Sequence, residues 1–286
     1  LGGVLISPHV APWLLSFDLP FIDTHIDTPA EAAVVVTIGI YALAALFNLR
    51  IPDTGARYPG RTSNPFTLLR IFWHCNLTLW RDPLGQIALA VTTLFWGAGA
   101  SLQFLVLKWA EHQLDMRLDQ ATRLQGVVAL GVALGAVLAA GWVPLRRSLR
   151  VLPLGVAMGF AIMLMTVVHN EAMAMLVLLV IGILSGFFVV PMNALLQHRG
   201  YVVMSAGNSI AVQNFNENLN ILVMLSFYAL MLWLNLPINT VAVLFGLAVA
   251  GVMLLVILWH RRNQRRFDSE VHIGEDPRHG NIPTPH

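Results

Sequence analysis

AMAMLVLLVIGILSGFFVVPMNALL, residues 172–196, runs for 25 positions without an ionisable side chain. A helix rises about 1.5 Å per residue, so about 20 consecutive apolar residues cross the hydrocarbon core of a bilayer. A helix apolar on all sides has no face to turn to water. The stretch reads as a membrane span, and six further runs of the same kind flank it: 32–49, 84–109, 124–145, 151–169, 207–234 and 239–259.

Composition agrees with a chain built from spans. Apolar residues make up 57% and charged residues 11%, whereas soluble domains hold about 45–50% and about 25%. The single Cys75 excludes an internal disulfide and a thiolate-based zinc or iron–sulfur site. The expected fold is all-α, a polytopic membrane helical bundle with seven transmembrane helices.

Ahead of the first span, Gly2-Gly3-Val4-Leu5-Ile6 follows Leu1 without an initiator Met or the basic stretch of a signal peptide. It reads as the tail of a further helix at the cut end of a longer protein. Residues 7–31, with Pro8, Pro12, Pro20 and Pro29 among Asp18, Asp23, Asp27 and Glu31, read as an exposed loop.

Loop charges orient the bundle. Of the 17 Lys and Arg, only Lys108, Arg117 and Arg123 fall in one set of alternate loops. The other set holds the remaining 14, including Arg50, Arg70, Arg81, Arg146, Arg147, Arg150, Arg199, Arg261 and Arg262. Basic residues stay on the cytoplasmic side during insertion, so the C-terminus is expected there.

The chain divides on this reading into 1–49 (helix stub, outer loop, one span), a cytoplasmic linker 50–83, a six-helix unit 84–260, and a basic, disordered tail 261–286. Six helices suit a transporter half made of two three-helix repeats, although 84–169 and 172–259 share no convincing identity. In the linker, Phe66, Leu69, Trp73, Leu77 and Trp80 recur at helical spacing beside Arg70 and Arg81. This pattern fits either a helix lying along the inner membrane surface or an ordinary juxtamembrane lead into the next span.

Small residues four apart, Gly131 and Gly135, Gly155 and Gly159, Gly182 and Gly186, let helix backbones approach in lipid. Packing accounts for most of them, and the same faces also suit sliding during alternating access. Catalytic constellations are poor: there is no Gly-x-Ser-x-Gly elbow, no acyltransferase His followed five residues later by Asp, and no phosphate loop. Asp23, His25 and Asp27 alternate in the outer loop but lack a fourth metal ligand nearby, and His74 beside Cys75 is no better. Neither metal, cofactor nor nucleic acid is expected.

One polar cluster falls inside a span: Asn208, Gln213, Asn214, Asn216, Glu217, Asn218 and Asn220. A charge at bilayer depth costs about 2.5–3.5 kcal/mol on insertion scales and usually faces a bundle interior or an aqueous cavity. Gln213, Glu217 and Asn220 share one helix face. The candidate substrate-binding residues are Glu217, Gln213, Asn214, Asn220 and Asn208. The alternative for Glu217 is a residue that bridges helices.

The stretches Thr93-Leu-Phe-Trp-Gly-Ala-Gly99, Gly186-Phe-Phe-Val-Val-Pro-Met-Asn-Ala-Leu-Leu-Gln197 and Ala206-Gly-Asn-Ser-Ile-Ala-Val-Gln-Asn214, continuing to Glu217-Asn218, carry a resemblance. From about residue 31 to 262 the chain resembles the lysophospholipid transporter family of the major facilitator superfamily. Its seven spans would be helices six to twelve of twelve.

The resemblance implies flipping of lysophospholipids, chiefly lysophosphatidylethanolamine, from the outer to the inner leaflet of a bacterial inner membrane. A cytoplasmic acyltransferase-acyl carrier protein synthetase would then reacylate them. The residues themselves leave other readings open: a major facilitator carrier for another amphiphile, drug or sugar, a membrane-embedded enzyme, or an assembly subunit. The missing nucleophile and base argue against the enzyme, and a subunit would need no buried carboxylate.

Overall fold

A computed structural model describes residues 28–50 and 64–266, together with Val10, Pro12, Trp13 and Ile273. Asp23, His25, Asp27 and the tail beyond residue 273 lie outside the described residues. Every regular element among the described residues is helical.

Helix α1, Pro29–Asn48, begins at a reciprocal cap: Thr28 Oγ1 accepts the Glu31 amide at 3.3 Å, and Glu31 Oε2 accepts the Thr28 amide at 3.0 Å. Helix α2, Pro65–Arg81, starts on Asn64, whose Oδ1 accepts the Phe66 amide at 3.0 Å. Pro at the first helical position fits both starts, because its missing N–H would be unpaired there anyway.

Helix α3, Gly85–Leu114, is capped by Asp82 and ends at Asp115 in the left-handed region, φ 50°. Helix α4 spans Leu118–Trp142. Helix α5, Leu152–Leu164, lies between 3-10 turns Leu145–Val151 and Met165–Val167. Helices α6, Glu171–Val203, and α7, Ala206–Trp233, start on the side chains of Asn170 and Ser205. Helix α8 is Ile238–Arg266.

Among the described residues, seven stretches are long and apolar enough to cross a membrane: α1, α3, α4, the run Leu145–Val167 containing α5, α6, α7 and α8. They fall on the seven expected runs, and helix α6 extends beyond the apolar run, through Gln197, His198 and Arg199, because Arg199 finds a carboxylate partner there. Helix α8 likewise carries Arg261, Arg262 and Arg265, largely at the surface, where long side chains extend their charges toward water.

The chain forms two compact units, residues 1–63 with 117–123, and residues 64–116 with 124–286. Helix α2 therefore packs as part of the second unit. Within that unit α3 touches α6, α7 and α8, while α5 lies against α6 and α8. Helix α4 meets α6 through glycines: a Cβ on Gly131 would lie 2.5 Å from the Leu179 carbonyl oxygen and 3.0 Å from Gly182 Cα. One on Gly135 would fall on the Ile183 carbonyl and 2.8 Å from the Phe187 amide nitrogen. Gly159 and Gly246 seat α5 on α8 in the same way, a Cβ on Gly159 lying 2.7 Å from the Gly246 carbonyl oxygen. These small residues are packing surfaces, as lipid-embedded helices require.

At the end where α3 begins, α2 closes the bundle. Cys75, Leu79, Leu84, Ile87, Leu149, Val151, Leu195 and Val256 form one buried apolar cluster there. Trp80 stacks on Trp259 of α8 with centroids 6.4 Å apart.

Candidate functional site

Helix α7 brings the polar cluster into the bundle. Ser205 accepts the Asn208 amide at 3.4 Å and starts the helix, which fixes the direction in which each later side chain points. Glu217 is buried, 7% exposed. Its Oε1 accepts Gln213 Nε2 at 2.8 Å, one turn earlier, and the same nitrogen reaches Asn193 Oδ1 on α6 at 3.0 Å. Among the described residues no cation pairs with Glu217.

The remaining residues of the cluster take separate directions. Asn220 Nδ2 donates to the Thr93 carbonyl of α3 at 2.8 Å and lies over Gly97, where a Cβ would come 2.9 Å from the Asn220 carbonyl oxygen. Asn216 is buried and faces α2: its Nδ2 donates to Asn76 Oδ1 at 2.8 Å, and its Oδ1 accepts Trp80 Nε1 at 3.1 Å. Asn214 and Asn218 are exposed, and Asn218 Nδ2 donates to the Asn214 carbonyl at 2.7 Å. Asn208 is half-buried near the start of the helix.

Of the five candidate residues, Gln213 and Glu217 are hydrogen-bonded to each other and Asn220 shares their side of α7. Asn214 sits at the edge of that face, and Asn208 lies two turns away. Asn193 joins Gln213 and Glu217 although the sequence reading did not single it out. A lone amide in the apolar run 172–196 was the available signal. Asn76 was also missed, and Trp80 was read only as part of the linker's apolar pattern, because their partner Asn216 is 140 and 136 residues distant.

Such an arrangement can bind a polar group. A buried carboxylate beside amide groups can receive a cation or a hydrogen-bond donor. Among the described residues no three His, Cys, Asp or Glu side chains gather as a metal site. An apolar crevice of about 540 Å³, lined by Ala157, Phe160, Met163, Leu164, Thr166 and Val243 among others, shares no side chain with the Glu217 cluster.

Fold and cluster define a multi-pass α-helical membrane protein with a polar centre inside its spans. Comparison with known proteins narrows the class. The chain is 38% identical over 225 residues to the lysophospholipid transporter LplT of Escherichia coli O157:H7, covering 78% of this chain and 56% of that protein. It is 43% identical over 201 residues to LplT of Yersinia enterocolitica serotype O:8, covering 70% and 50%. Against LplT of Escherichia coli O1:K1 it is 37% identical over 233 residues, covering 81% and 58%.

The chain is homologous to the lysophospholipid transporter family. It spans about half the length of the curated relatives it matches. No protein-family model matches the chain, and no solved structure matches it significantly.

Proposed function

We propose that this chain is the C-terminal half of a lysophospholipid carrier, which moves lysophosphatidylethanolamine from the outer to the inner leaflet of a bacterial inner membrane. The observation that carries the reading is homology to proteins named as lysophospholipid transporters across about four fifths of the chain. The buried carboxylate without a cation supports it. An ethanolamine ammonium is a suitable partner for Glu217, with Gln213 and Asn193 holding that carboxylate in position.

The helix pairing supports a half built from two three-helix repeats. Exchanging α3, α4 and α5 with α6, α7 and α8 carries the α3–α7 contact onto the α6–α4 contact, and the α3–α8 contact onto α6–α5. Such symmetry is the internal signature of many secondary transporters, in which substrate sites lie near the bilayer midplane. The basic loops support a cytoplasmic C-terminus, where an acyltransferase-acyl carrier protein synthetase would be the consuming partner.

The test is uptake of labelled lysophosphatidylethanolamine by cells lacking their own lysophospholipid transporter and expressing the complete coding sequence that contains these residues. Conversion of label to phosphatidylethanolamine is expected. Expression in the membrane without conversion, in cells whose acyltransferase is active, would overturn the substrate assignment.

A further inference from the structure

Helix α2 is apolar on two sides, and among the described residues only one is covered. Cys75, Asn76 and Leu79 are buried in the bundle. The bonds from Asn76 and Trp80 to Asn216, with Phe72 edge to face against Phe215 at 5.2 Å, prevent the helix from rolling. Beside that face, about a quarter turn around the helix, run Phe66, Leu69, Trp73 and Leu77, at i, i+3, i+7 and i+11 and hence in one stripe. They are exposed by 81, 64, 53 and 39%. Arg70, His74 and Arg81, all exposed, line one edge of that stripe, and no Asp or Glu occurs from Pro65 to Arg81.

We infer that this free face of α2 is a binding surface for anionic phospholipid, with the apolar stripe among acyl chains and Arg70 and Arg81 on the phosphates. Two features select lipid as the occupant. Only Asp82, Pro83 and Leu84 separate α2 from α3, so the stripe lies at the depth where a span enters the bilayer. The edge is basic without a balancing acid, which suits an anionic leaflet, and Trp73 is the residue type enriched at that level.

The inference rests on the membrane-spanning reading, and the proposed orientation puts the surface in the cytoplasmic leaflet. It also ties that leaflet to the candidate site, because the face of α2 beside the stripe bonds Asn216, the neighbour of Glu217.

The test uses the full chain in nanodiscs of phosphatidylcholine with an equal part of phosphatidylglycerol. Nitroxide labels are placed singly through Leu69→Cys, Trp73→Cys and His74→Cys in a Cys75→Ala background, with Leu176→Cys on α6 as the span control. Labels at 69 and 73 are expected to be relaxed by oxygen and shielded from a water-soluble nickel chelate, while the label at 74 meets the chelate. Native mass spectrometry of protein extracted from the same discs should show the retained phosphatidylglycerol-to-phosphatidylcholine ratio falling about fivefold for each of Arg70→Gln and Arg81→Gln.

Labels at 69 and 73 open to the chelate, or shielded from both reagents as a covering protein would cause, overturn the inference. So does an unchanged lipid ratio in the double variant. Failure of the Leu176→Cys control to meet oxygen would instead overturn the membrane-spanning reading.

Discussion

Asp82 and Arg199, 117 residues apart in the chain, form a buried two-point ion pair: Arg199 Nε donates to Asp82 Oδ1 at 3.0 Å and Nη2 donates to Oδ2. Side-chain exposure is 9% for Asp82 and 6% for Arg199. Asp82 Oδ1 also accepts the amides of Leu84 at 3.2 Å and Gly85 at 2.7 Å. One carboxylate thus caps α3 and holds the far end of α6, and a side chain there also places a negative charge at the positive end of the α3 dipole.

Removing one partner of a buried pair leaves an uncompensated charge and destabilises by about 3–5 kcal/mol. Arg199→Met should therefore lower the thermal midpoint of the detergent-solubilised protein sharply. Asp82→Asn, which keeps an oxygen for the α3 amides, should be milder. The double variant should lose less than the two single losses combined, since each single change strands the other side chain. Strict additivity would show that the two groups do not interact in solution.

The α4–α6 seam makes a second demand. A Cβ on Gly186 would fall on the Val132 carbonyl and 2.8 Å from the Ala136 amide nitrogen, whereas one on Gly251 meets nothing within 4 Å. Gly186→Val should force the helices apart, at a cost of about 1–3 kcal/mol typical of overpacking, with visible loss of monodisperse protein. Gly251→Ala should be neutral or slightly stabilising, given alanine's better helix propensity. Equal tolerance at both positions would refute the seam.

How much of this was legible in sequence follows from the range of the signals. The spans were legible because an apolar run is a local property, and Ser205 and Asn170 announce their helices within three residues. Gln213 and Glu217 were legible as neighbours one turn apart. Arg199 was visible only as a loop charge, because a one-dimensional pattern does not say that residue 82 lies beside residue 199. The same holds for Asn76 and Trp80 against Asn216, so α2 read equally well as a helix along the inner membrane surface or a juxtamembrane lead into the next span.

The third prediction concerns orientation, which the pattern of basic residues motivates. Reporter fusions after Arg147, Arg199 and Arg262 should report cytoplasm, and those at Asp115 and Asn170 the opposite side. A cytoplasmic signal at Asp115 would contradict the assignment, because α3 carries 30 residues between Gly85 and Leu114 and is long enough to cross.

The last prediction separates two roles for Glu217. Its carboxylate is buried, receives one hydrogen bond from Gln213, and has no cation beside it among the described residues, so a substrate ammonium would supply the missing charge. Glu217→Gln preserves shape and can keep a hydrogen bond to Gln213, but removes the charge. If the carboxylate serves the headgroup, this variant should reach the membrane in normal amount and lose about ten- to a hundredfold in lysophosphatidylethanolamine transport, the scale of a hydrogen bond to a charged group. Lysophosphatidylglycerol, which lacks the ammonium, should be affected much less. Gln213→Leu should act in the same direction more weakly, because it frees the carboxylate without removing it. If Glu217→Gln transports both lipids at the wild-type rate and only Glu217→Ala fails, with little folded protein, then Glu217 and Asn193 hold α7 to α6 through Gln213, and the headgroup is bound elsewhere.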